Sequence, residues 1–218
     1  MKTFLILFSV VMPWRLKRLF LRGVFGYSLH PSAYIGFSYV APSVLDMQAG
    51  AKIGHFSVIK ANKLIMGENS LIGAWNWITS ITDPIAFMSS PTRAAVLSLG
   101  RESAITSRHY IDVQDAVSLG EFATLAGVRS SIFTHGIDIA RNCQVAAPVS
   151  IGDYSYVGTN VIILAGASVP ARSVVAAGAV VTSCARNSSG LYGGVPAVLR
   201  REWQSEMQHF HRKVGPVS

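Results

Sequence analysis

The six histidines are the side chains of this sequence best suited to proton transfer near neutral pH, because an unperturbed imidazole titrates at about 6.5. Two of them stand where they could act. His135 lies in Ile132-Phe133-Thr134-His135-Gly136-Ile137-Asp138. Between Ser131 and Ile139 a sixfold spacing of aliphatic residues slips by two. An insert in an otherwise periodic coil should bulge outward and present its side chains. A carboxylate beside the ring would fix its tautomer; Asp138 is the local candidate, and Asp115, about one coil earlier, is another. A backbone N–H close by, such as that of Gly136, could face developing negative charge. His109, in Thr106-Ser107-Arg108-His109-Tyr110-Ile111-Asp112, competes as the base and suits better the lining of a substrate site. These two do not make a three-histidine zinc centre, and Cys143 and Cys184 lack CxxC spacing. No metal is expected, and the cysteines read as free thiols of a reducing compartment. His30 and His55 read as structural, and His209 and His211 as exposed in a polar tail.

A repeat must position these residues. From Val145 onward an aliphatic residue recurs at every sixth place, through Ile151, Val157, Ile163, Val169 and Val175 to Val181. The fifth place of each hexad is Ser, Ala or Val, as in Ser155, Val161, Ala167, Ser173 and Ala179. A helix would show spacings of three and four, and a half-buried strand a spacing of two. A period of six fits a coil with flat sides, each hexad giving one short strand and one turn, three hexads closing a triangle and triangles stacking. The pattern runs earlier with slips: Ile35, Ala41, Met47, Ile53 and Ile59; Met66, Ile72 and Ile78; Leu99, Ile105 and Ile111; Leu119 and Leu125. Near 83–98 it fails among the turn signals Asp83-Pro84 and Ser89-Ser90-Pro91. The expected organisation is an amphipathic helical segment over 1–27, a coil over 28–185 with a loop excursion near 83–98, and a C-terminal loop and polar helix over 186–218.

Half of the 218 residues are hydrophobic and 14% are charged, which excludes a disordered chain. The net charge of +8 suits an anionic partner. Basic residues interleaved with aromatics occur only near the N-terminus, so nucleic acid is not expected. There Phe4 to Met12 is too short to span a bilayer, and no small-residue cleavage site follows it. Trp14, Leu16, Leu19 and Phe20 against Arg15, Lys17, Arg18 and Arg22 make either an interface-seeking helix or a cap on the core. A cytoplasmic location, with possible peripheral contact at the inner face of the membrane, is the expectation.

The series Ile151-Gly152-Asp153, Val157-Gly158-Thr159, Ile163-Leu164-Ala165-Gly166, Val174 to Val181 and Gly194-Val195-Pro196-Ala197 resembles the hexapeptide-repeat acyltransferases over about Ser28 to Arg201. Within them the chain looks like the branch of polysaccharide and lipopolysaccharide O-acetyltransferases. The resemblance implies an all-β fold, a left-handed parallel β-helix with an N-terminal helix and a short C-terminal helix, assembled as a homotrimer. It implies transfer of an acyl group, acetyl in the first instance, from coenzyme A to a hydroxyl of a sugar or polysaccharide precursor, with His135 at the position of the general base. The donor would lie along small residues, Gly158, Thr159, Ala165, Gly166, Ala177 and Gly178, with Val195 near the adenine. Arg200, alongside Arg172, Arg186 and Arg201, would meet phosphates. Pro170 stands where the pattern often has glycine. Trp75 and Trp77, flanking Asn76, could stack on an acceptor ring, with His109 and Asp115 beside it. N-acetylation of an amino sugar, or a scaffold without catalysis, remains open at this point; release of coenzyme A would separate enzyme from scaffold.

Overall fold

The computed structural model describes residues 2–81, 93–182, 188–203 and 207–215. The chain winds as a left-handed parallel β-helix. Successive short strands go to three sheets in rotation, and each sheet is one face of a prism. Face 1 holds seven strands from Ser28–Leu29 through Val96–Leu99, Val117–Leu119 and Val149–Ile151 to Ser168–Val169. Face 2 runs from Tyr34–Ile35 through Thr124–Leu125 and Tyr156–Val157 to Val174–Val175. Face 3 runs from Tyr39–Val40 through Trp77–Thr79, Tyr110–Asp112 and Ser131–Ile132 to Val180–Val181.

The sixfold rule follows from which way each residue points. In Ser155-Tyr156-Val157, serine and valine are fully buried while the tyrosine between them faces out. The anchor fills the interior, the small residue two places earlier fits the corner, and the third faces solvent. Anchors then stack on their equivalents: Ile53 pairs with Ile72, Ile111 with Ile132, and Val157 with Val175. These stacked aliphatics form one continuous core. Face 3 starts from Val40 rather than the expected Ala41, because Val40 pairs with Ile59 and is buried. Coils approach closely at the corners: a Cβ on Gly54 would sit 2.8 Å from the Gly73 carbonyl carbon.

Three expectations need correction. Val145 is not a coil anchor; it is half-buried and pairs antiparallel with Gly136. The excursion does not reach residue 98, since Val96–Leu99 pairs with Lys63–Met66 on face 1, and residues 83–92 lie outside the described ones. The polar tail is not one helix: Gly190–Gly193 continues face 2, Val198–Glu202 turns back antiparallel on it, and a single 3-10 turn spans Gln208–His211.

The N-terminal segment makes two helices, α1 (Lys2–Val10) and α2 (Trp14–Phe25), separated at Pro13. Gly26, with φ of 68°, ends α2 in the left-handed conformation and returns its N–H to Arg22 O. The pair closes the first coil. Lys17 is buried there and donates to Gly36 O at 2.7 Å, and burial lowers its pKa to about 8. No helix among the described residues is long and apolar enough to cross a membrane.

Candidate active site

His135 opens an antiparallel hairpin, His135–Asp138 with Cys143–Ala146, that leaves the prism at the corner between faces 3 and 1. The hairpin is larger than a two-residue slip. Leu119 pairs with Ile151 after 32 positions, whereas the next coil carries Ile151 to Val169 in 18. The extra 14 residues are two hexads plus two, so the repeat alone shows only the two.

The partner of His135 is Asp112. Its Oδ2 stands 2.7 Å from His135 Nδ1. Asp112 ends the face 3 strand one coil earlier and is 2% exposed, while the imidazole is one-third exposed. Thr134 N donates to the same oxygen at 3.1 Å, and Gln114 Nε2 donates to Oδ1 at 3.0 Å. The Thr134 hydroxyl accepts from Gln114 N and Asp115 N at 2.8 and 3.0 Å. A buried carboxylate so engaged is fixed in place. It holds the imidazole with its proton on Nδ1 and its basic lone pair on Nε2.

The same network ties down the coil's other interruption. Ile81 N donates to Gln114 Oε1, Arg93 Nη1 to Gln114 O, and Ala94 N to Asp115 Oδ1. Both described ends of that excursion therefore reach the corner of His135.

The other carboxylates are occupied elsewhere. Asp138 takes Arg141 Nε at 2.6 Å and Arg141 N at 3.0 Å, and this guanidinium holds its carboxyl below the usual range. Asp138 thus serves the hairpin turn, and the carboxylate beside the His135 ring is Asp112 rather than the expected Asp138. Asp115 accepts from Ala94 N and Ala116 N, and so clamps backbone. The chemistry of Asp112 was missed because it lies 23 residues before His135, at the end of a coil strand.

His109 is likewise corrected. It is buried, its Nδ1 accepts from Ser130 N, and its Nε2 lies 2.9 Å from Thr106 Oγ1. Burial pushes its pKa down to about 4. It is a neutral interior group held in the wall of the coil. Because its folded pKa is below the unfolded value, its contribution is complete above about pH 6.5 and is lost as pH falls toward 4. Acidification from pH 7 to 5 should cost on the order of 2 kcal/mol, seen as a lower melting temperature, and His109→Gln should flatten that dependence. His209 also departs from expectation, since it is half-buried against Tyr156.

The small residues divide between two corners. Ala165 and Gly166 lie one coil beyond His135 at the same corner, where a Cβ on Gly166 would meet Ala147 at 3.7 Å. Gly158, Thr159, Ala177 and Gly178 stack at the corner between faces 2 and 3: Gly178 N donates to Thr159 O, and a Cβ on Gly158 would sit 3.0 Å from Ala177 N. The turn carrying Val195 joins this second group. Val180 N donates to Gly194 O, Arg200 Nε to Gly193 O, and Val195 is exposed. Arg172 sits at the remaining corner, where its carbonyl accepts from Trp203, and Arg186 lies outside the described residues. Trp75 is exposed but packs on Phe56, with ring centroids 4.7 Å apart. Trp77 stands exposed on face 3 beside Tyr110, which contacts Phe133 two residues from His135.

A cleft of about 620 Å³ lies on face 2, floored by Leu71, Ala104, Thr124 and Tyr156 and walled by Val214 and Gly215. It does not include the His135 corner. Among the described residues, no group of three or more His, Cys, Asp or Glu could hold a metal ion. Cys143, in the hairpin, is a free thiol, and Cys184 lies outside the described residues.

A family model described as "Hexapeptide repeat of succinyl-transferase" matches residues 148–183. No curated protein matches the chain. Among solved structures, it is similar to a hexapeptide-repeat-containing acetyltransferase of Vibrio cholerae O1 biovar eltor, solved with acetyl coenzyme A. That match has 17% identity over 93% of this chain and 86% of the other, with a TM-score of 0.50. It is also similar to the polysialic acid O-acetyltransferase OatWY, at 15% identity over 83% and 88% of the two chains, with a TM-score of 0.53. These likenesses establish the fold.

Proposed function

We propose that this hexapeptide-repeat β-helix protein is an acyltransferase that moves acetyl from coenzyme A to a hydroxyl of a sugar or saccharide, with His135 as general base. The observation that carries the reading is the Asp112–His135 pair at the corner where the hairpin His135–Ala146 leaves the coil. A hydroxyl is a poor nucleophile at neutral pH. His135 Nε2 takes its proton as the oxygen attacks the thioester carbonyl, and Asp112 steadies the imidazolium so formed. The carbon–sulfur bond then breaks, and the proton passes from His135 to the departing thiolate. The products are an ester and free coenzyme A. Two similar proteins support the choice of substrates: the Vibrio cholerae acetyltransferase was solved with acetyl coenzyme A, and OatWY is a polysialic acid O-acetyltransferase.

Ala165 and Gly166 would pass the pantetheine arm beside His135, and Gly158, Thr159, Ala177, Gly178, Val195 and Arg200 would line the donor groove at the other corner. One donor touching two corners of the prism fits a groove shared between neighbouring subunits, and we propose a homotrimer. Trp77, with Tyr110, would carry the acceptor ring on face 3, and Trp75 is the weaker candidate because Phe56 already covers it.

The test is to incubate the protein with acetyl coenzyme A and a panel of neutral, acidic and amino saccharides. Free thiol should appear with a product heavier by one acetyl group, and that group should leave under mild alkali, as an ester does. Thiol release with an alkali-stable amide would overturn O-transfer, and no release with any acceptor would overturn the enzyme.

A further inference from the structure

Helix α1 is amphipathic in the wrong sense for a helix that only caps a core. Its inward positions are Ile6 and the small polar Ser9. Phe4, Leu7, Phe8 and Val11 point away from the protein, each more than half exposed. Their spacing, i, i+3, i+4 and i+7, makes a single apolar stripe along the outer side. Helix α2 widens it with Leu16 and Leu19, also more than half exposed. The Phe8 and Phe20 rings, 6.3 Å apart, join the two helices into one surface. A soluble monomer normally scatters such residues singly; a contiguous patch marks a surface that something covers.

Charge selects the partner. Arg15 and Arg22 are exposed on α2, and Arg18 and Lys2 stand at the flanks with their ends on Pro31 O and Pro42 O. No acidic residue precedes Asp46 in the sequence. An apolar stripe rimmed only by cations, on helices too short to span a bilayer, matches an anionic lipid surface. We propose that α1 and α2 lay this stripe into the interface of an anionic membrane, with Phe4, Leu7, Phe8, Leu16 and Leu19 among the acyl chains and Arg15 and Arg22 at the headgroups. The prism, capped by the same helices, would then stand with its first coil toward the bilayer.

Flotation of the full chain with vesicles tests it. The protein should rise with vesicles of phosphatidylcholine containing phosphatidylglycerol and stay behind with phosphatidylcholine alone. Phe4→Ser/Phe8→Ser should weaken the binding at least tenfold, and Arg15→Gln/Arg22→Gln on the order of tenfold or more. All four side chains are exposed, so unchanged melting temperatures should accompany the loss. Equal flotation with both vesicle types, or none with either, overturns the proposal. So does a mass in solution that halves in Phe4→Ser/Phe8→Ser without any vesicle binding, which would make the stripe a contact between copies of this chain.

Discussion

Replacing His135 with alanine should lower turnover by about two to four powers of ten and leave the fold intact. The imidazole is one-third exposed and lies at the root of a hairpin, outside the stacked core. Its removal leaves Asp112 with donors from Thr134 N and Gln114 Nε2, so no buried carboxylate is stranded. The melting temperature should therefore hold while thiol release from acetyl coenzyme A collapses. Because the ring acts on the proton in flight, the loss should fall on kcat more than on KM for either substrate. A variant that keeps full turnover removes His135 from the chemistry.

Asp112→Asn should do two things at once. The carboxylate accepts on both oxygens, from Gln114 on one side and from Thr134 N and His135 on the other. An amide cannot accept on both. With its NH₂ toward Gln114, two donors face each other; with its NH₂ toward His135, the ring must put its proton on Nε2 and its basicity is spent on the amide. Turnover should fall on the order of 10²–10⁴, the range that general acid–base catalysis contributes, because the tautomer is wrong. The fold should lose about 1–3 kcal/mol for a buried group left unpaired. Asp138→Asn, which touches only the exposed pair with Arg141, should leave turnover within about twofold of the parent, since such pairs contribute little. Equal losses from the two substitutions would contradict the assignment of the orienting carboxylate.

The contrast between these carboxylates shows what the sequence could and could not tell. The coil was legible because on face 2 each anchor from Ile35 to Val175 is a branched aliphatic with Ser or Ala two places before it, one steric rule repeated around one axis. His135 was legible because it sits where that rule lapses. The size of the lapse was not, since two whole hexads preserve the register and conceal themselves, and Val145 then falls on the sixfold grid while belonging to a hairpin. Asp112 was hidden for a related reason. Neighbours across coils are set by the length of the turn between them, and Ile111 stacks on Ile132 at 21 positions rather than 18. A search one coil back lands on Asp115, which the fold spends on Ala94 and Ala116. His109 misled because interior polarity follows a local rule. In Thr106 and Ser130 it has partners that hold a neutral imidazole inside the wall, and spacing alone does not separate such a ring from a catalytic one.

The most direct test of the account is a crystal structure with acetyl coenzyme A bound. The thioester carbonyl should lie at the corner of His135, leaving room for one acceptor oxygen within hydrogen-bond reach of Nε2, with the pantetheine arm against Ala165 and Gly166. Coenzyme A seated in the face 2 cleft instead, or anywhere that keeps its thioester away from His135, would contradict it.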